Sequence, residues 1–282
     1  SSEEVILVSF VATGDLESLV RACRSLEEQG LEYLADPVLD PIHFGFVDSL
    51  VRYHELRRRL PDAPVMMGTG NITELTEADT VGMVALLAGI MSELRISALL
   101  TTEVSPHART VVAESDAARR ILYAARQDNA FPKGYSRVLT PLHDRRPFPY
   151  GLSEIRDMAD QIRDPNYRIQ VAEEGIQVYN REGLVAGIGP MDLFPRLERL
   201  QDDVPHAFYM GMELARAQIA WQLGKRYSQD EELDWGAASG PGAREGAGRD
   251  EQGYPVEGPT LAASRDRRRK RREEGTSGDG DE

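Results

Sequence analysis

The residues best suited to chemistry stand directly after short apolar runs. Asp36, Asp40 and His43 lie in YLADPVLDPIHFGF (33–46), Asn71 in MGTGN (67–71), Glu103 in TTEVS (101–105), and Thr13 and Asp15 in TGD (13–15). Carboxylates and an amide beside glycines suit a flat heterocycle rich in N–H and carbonyl groups. A carboxylate accepts two parallel N–H bonds, an Asn side chain both donates and accepts, and glycine lets backbone approach a ring closely. Each residue also has a plainer role. Asp36 and Asp40 next to proline suit turns, Asn71 suits a left-handed turn, and Thr13 and Asp15 suit a helix cap. His107 and Arg109 stand where a helix should begin, so they are anion-binding candidates as much as solvated helix-start residues.

The elements that would position these groups follow a repeat. Apolar strands are expected at Val5–Val11, Tyr33–Ala35, Val65–Met67 and Ile96–Leu100. Helices are expected at Asp15–Gln29, Val47–Leu60, Glu77–Leu94 with Thr76 as N-cap, and Ala108–Arg126. Strands apolar on both faces, recurring about every 30 residues, point to a parallel sheet covered by helices. The ligand side of such a sheet is at the strands' carboxyl ends, so Asp36, Asn71 and Glu103 should share one mouth. Four units fill half of a closed barrel. A missing N-terminal half, self-association of two chains and an open sheet all stay open.

Composition bounds the function. The 282 residues carry 33 Lys and Arg against 47 Asp and Glu, a formal net charge of −14, with 41% hydrophobic residues. The acidity argues against nucleic acid as a partner, since phosphate-backbone binding needs basic groups. No apolar run is long enough for a membrane span, and the expected location is cytoplasmic. One cysteine, Cys23, and five histidines leave no zinc motif, and the expected metal set is none. GxxxxGK[ST], GxGxxG after the first strand, and GxSxG are absent.

The run YLADPVLDPIHFGF, with PVMMGTGNITELTEADTVGMVALLAGIMSELRI and SALLTTEVS, resembles the second half of the pterin-binding barrel superfamily, and most narrowly the dihydropteroate synthase-related proteins. The resemblance implies an α/β fold that is the C-terminal half of a TIM-type (β/α)8 barrel. It also implies a role in tetrahydromethanopterin or folate-type one-carbon metabolism, through a transferase joining a reduced pterin to an arylamine. Asp36, or Asp40 as the competing assignment, and Asn71 would hold the pterin, with Glu103 a further candidate from its strand-end position and Mg2+ serving a diphosphate-bearing substrate. Corrinoid methyl transfer and a non-catalytic pterin-binding subunit are the alternatives. The synthase's Ser-Arg-Lys and Arg-x-His are replaced here by Thr69-Gly70-Asn71 and Thr101-Thr102-Glu103, which weakens the diphosphate chemistry.

Three regions are expected: the half barrel at 1–128, an appended α+β region at 129–235, and a disordered Gly- and charge-rich tail at 236–282 containing the basic run Arg265–Arg272. In the middle region, strands are expected at Tyr167–Val171, Gly175–Asn180 and Leu184–Ile188, and a long helix at Pro205–Lys225. The loop-rich 129–150 stretch, with Lys133, Arg145 and Arg146, reads as a lid, an interface or plain surface.

Overall fold

The structure is a computed structural model and describes residues 5–198, 200 and 203–239. These fall into two compact units, one of residues 5–139 with 236–239 and one of residues 140–235.

The first unit runs β1 (Ile6–Ser9), α1 (Phe10–Thr13), α2 (Leu16–Glu28), β2 (Tyr33–Asp36), α3 (Phe46–Arg59), β3 (Met66–Gly68), α4 (Gly70–Thr73), α5 (Thr80–Glu93), β4 (Ala98–Leu100) and α6 (Val111–Gln127). Strands β1 and β2 pair in parallel, Ile6 against Tyr33 and Ser9 against Asp36. A parallel bridge joins Ala35 to Val65, and β3 pairs with β4, Met66 against Ala98. Asp15 caps α2 by accepting the Ser18 N–H at 2.7 Å, and Gly30 follows that helix with φ +66°.

Side-chain alternation decides what the sheet buries. Tyr33, Ala35 and Met67 turn into a core with Leu19, Val20 and Cys23 of α2 and Tyr53 and Leu56 of α3. Burial pushes the Cys23 thiol up to about 11, which makes it an inert core group. Leu34, Asp36 and Met66 occupy the opposite registers and are only partly buried, while Leu7 is 55% exposed. The expectation of a sheet covered on both faces is therefore corrected: one set of registers is packed and the other reaches solvent.

The barrel expectation is corrected too. Among the described residues the sheets have two, two and three strands, and none closes on itself. A closed barrel needs each edge strand paired, and here the parallel pairs end at β1 and β4. The half-barrel assignment falls, and with it the resemblance to the pterin-binding superfamily.

On α3 the buried residues are Ser49, Tyr53 and Leu56, while Val51 and His54 are exposed. Thr76 does not cap α5; the chain makes the single turn α4 first, and α5 begins after Asp79.

The second unit contains α7 (Leu152–Asp160), β5 (Arg168–Ala172), β6 (Gly175–Asn180), β7 (Gly183–Gly187), α8 (Pro190–Leu193) and α9 (Val204–Leu223). Its sheet is an antiparallel meander with β6 central and buried throughout. Met210, Leu214 and Ala217 of α9 pack on Ile169, Val171, Ile176 and Val178. Segment 141–144 is fastened to the end of α9: Lys225 donates to the Pro141 carbonyl at 2.6 Å, and His143 Nδ1 to the Leu223 carbonyl at 2.7 Å.

Residues 236–239, expected in the disordered tail, belong to the first unit. Gly236 sits at φ +53° against the Val138 carbonyl with no room for a Cβ, and Ala237 donates to that carbonyl at 2.8 Å. The remainder of the tail, with the Arg265–Arg272 run, lies outside the described residues. Among the described residues no helix is long and apolar enough to cross a membrane.

Candidate functional site

The segment after β2 is the most heavily constrained part of the first unit. Val38 has φ +64° and His43 φ +71°. For a β-branched residue this conformation is costly, of order 1–3 kcal/mol, and persists only where several contacts over-determine it. Those contacts are present. The Val38 N–H donates to Asp36 Oδ1 at 3.0 Å. Arg52 Nε donates to the Pro37 carbonyl at 2.6 Å, and its Nη2 to the Val38 carbonyl at 2.7 Å and to Asp40 Oδ2 at 2.8 Å. The same guanidinium lies 4.0 Å from the Phe10 ring centroid. Asn71 Nδ2 donates to the Leu39 carbonyl at 2.8 Å, tying the segment to α4. Gly45, at φ +112°, starts α3 in a place where a Cβ would press on the Asp40 carboxylate at 3.2 Å.

Asp36 ends β2 on the less covered registers. Burial holds its carboxyl above the ordinary range, against the opposing pull of the Val38 N–H, Arg52 and Tyr53. The ion pair of Arg52 goes to Asp40 instead. The Tyr53 hydroxyl donates to the Met66 carbonyl at 3.1 Å and carries a raised pKa, chiefly through burial.

The other candidates form a second group around Glu74. Its carboxylate accepts the Thr102 hydroxyl and the Val104 N–H at 2.9 Å each, and the Ser105 N–H at 2.7 Å. Ser105, followed by Val104 and Thr102, pulls its pKa down to about 2. His107 Nε2 donates to the Thr73 carbonyl at 3.0 Å. Glu103 accepts the Val112 N–H at 3.0 Å and so caps α6, while Arg109 is exposed. The structure thus links Asp36, Asp40 and Asn71 through one segment, and gives Glu103 and His107 local fastening duties. Arg52, Tyr53 and Glu74 went unsingled in the sequence. Arg52 had one available signal, a basic residue on a helix directly following a segment with two aspartates.

Because the Glu74 carboxylate is held below its unfolded value, its contribution is present above about pH 4.5 and is lost as pH falls through about 2. The Val104 and Ser105 amides are expected to lose hydrogen-exchange protection across that window. Glu74→Gln at pH 6 should give the same loss, and unchanged protection in that variant would refute the clasp.

Among the described residues no three metal-ligating side chains gather at one place. An uncharacterized protein of Methanocaldococcus jannaschii is 29% identical over 244 residues, covering 78% of this chain and 46% of that protein. The chain therefore spans about half the length of the curated relative it matches. No family model matches the chain, and no solved structure matches it. These findings, with the open sheets, overturn the synthase-like transferase, corrinoid-methyltransferase and pterin-subunit readings and their assignment to tetrahydromethanopterin synthesis.

Proposed function

We propose that the first unit is a small-molecule-binding module. Its anchor is Asp36, and its ligand is a planar group presenting two adjacent N–H donors, the class that includes amidines and guanidines. The observation that carries this reading is a partly buried carboxylate set at a strand's carboxyl end by a strained, multiply tethered segment. Such a group costs free energy in the empty protein and gains it back from a ligand that donates two charge-assisted hydrogen bonds.

The test is titration of benzamidine, whose amidinium carries two adjacent N–H donors, followed by amide chemical shifts. The expected result is saturable shifts at Asp36 and Val38, with Asp36→Asn binding roughly 10- to 100-fold more weakly, as loss of a charged acceptor implies. Absence of shifts at this segment would sink the reading.

The same variant should be more stable when empty. With its folded pKa raised, Asp36 binds a proton more tightly in the native state. Native stability therefore falls as pH rises from about 3.8 through the folded pKa, and the deficit persists at neutral pH. Asp36→Asn removes the deficit, so its melting temperature should exceed the parent's at pH 7 and converge with it near pH 3. A variant less stable at pH 7 would show that the carboxylate is structural.

A further inference from the structure

A cavity of about 330 Å³ lies against α5, α6 and the start of β4, and Asp36 is not among its lining residues. Helix α6 has two working faces. Val111, Ala118, Ile121 and Ala125 are buried away from it, whereas Arg119, Leu122, Tyr123 and Arg126, with the buried Ser115, line the cavity at helical spacing. The opposite wall is apolar, with Val84, Leu87, Ala88 and Met91 of α5.

We infer that this cavity binds a small amphipathic anion, an aromatic or branched aliphatic body carrying a sulfonate, carboxylate or phosphate head. The volume falls within the range of small-ligand sites, and an apolar wall with few polar groups is their usual lining. Charge complementarity fixes the sign. In a chain of net charge −14, two guanidiniums border one apolar cavity. Arg126 is already positioned: its Nη1 donates to the Ser92 carbonyl at 2.8 Å, and its guanidinium carbon lies 6.0 Å from the Tyr123 ring centroid. Arg119 pairs with Asp116 on its own helix, a mostly exposed contact that an incoming anion can compete for. Asp116 also engages Arg120, so it keeps a cationic partner if Arg119 turns to the ligand. The Ser92, Ser97 and Ser115 side chains add hydroxyl donors to the lining.

The probe is 1-anilinonaphthalene-8-sulfonate, titrated into the full chain and followed by its emission, with circular dichroism confirming the fold of each variant. The expected result is one saturable site. Ala88→Phe, which fills the apolar side, should weaken it at least tenfold, and Arg119→Ala with Arg126→Ala at least fivefold. N-phenyl-1-naphthylamine, the same body without the sulfonate, should bind at least fivefold more weakly. Asp36→Asn should leave the site unchanged, which separates it from the ligand site proposed at β2. If Ala88→Phe fails to fold, Leu122→Trp narrows the same cavity from its partly buried edge and is held to the same tenfold criterion. Unchanged affinity in a folded, filled variant overturns the site. Equal binding of the uncharged body, or no loss in the double arginine variant, overturns its preference for an anion.

Discussion

Replacing Arg52 with alanine lowers the stability of the first unit by about 3 kcal/mol, the low end of the range for breaking a largely buried ion pair. The side chain is 13% exposed and its Asp40 partner 30%. Removing it strands the Pro37 and Val38 carbonyls and leaves Asp40 without its 2.8 Å ion pair. It also uncovers Phe10 and releases a tether on Val38, whose left-handed conformation needs such support. Arg52→Lys should recover only part of the loss, because a single ammonium cannot reproduce a planar fork directed at three acceptors. Urea denaturation followed by far-ultraviolet circular dichroism reads the effect. A loss below about 0.5 kcal/mol would place the guanidinium among ordinary solvated surface pairs.

Glu213→Ala in the second unit is the other large effect, again about 3–5 kcal/mol. Glu213 is 1% exposed on α9. It accepts the Tyr227 hydroxyl at 2.6 Å, Arg216 Nη1 at 2.7 Å and the Asp230 N–H at 3.2 Å. The Tyr227 ring is buried as well, and burial drives its hydroxyl's pKa far upward, so the phenol stays a donor. Alanine leaves that hydroxyl and a backbone N–H facing the void left by the carboxylate. Glu213→Gln keeps the shape and one acceptor oxygen, and should cost less than half as much. Both tryptophans, Trp221 and Trp235, lie in this unit, so the shift in the unfolding midpoint is read directly from their emission. Equal effects of alanine and glutamine would show that charge, rather than acceptor geometry, is what the network requires.

The local elements were legible in the sequence because their signals are local. The four apolar runs become β1 to β4, Gly30 stops α2, and Asn180–Gly183 turns β6 into β7. Closure was not legible, because whether a sheet's edges find partners depends on strands elsewhere, and nothing in Val5–Val11 or Ile96–Leu100 encodes an unpaired neighbour. Asp36, Asp40 and Asn71 stood out by type, and the structure connects them, but through the backbone of one segment that Arg52, a polar residue on a helix, fastens at Pro37, Val38 and Asp40. Glu103 shows the converse. Its position after a strand suggested a ligand contact, yet the N–H groups at the start of α6 compete for the same carboxylate, and Val112 takes it.

The strand pairing also bears on how the polypeptide is made. Each parallel partner lies roughly 30 residues further along the chain, from Ile6 to Tyr33, Ala35 to Val65 and Met66 to Ala98. No strand of the first unit has to wait for the last residue synthesised before it can be extended. A nascent chain emerging amino end first can add one strand and one helix at a time to what has already formed, with growth confined to the edge opposite β1.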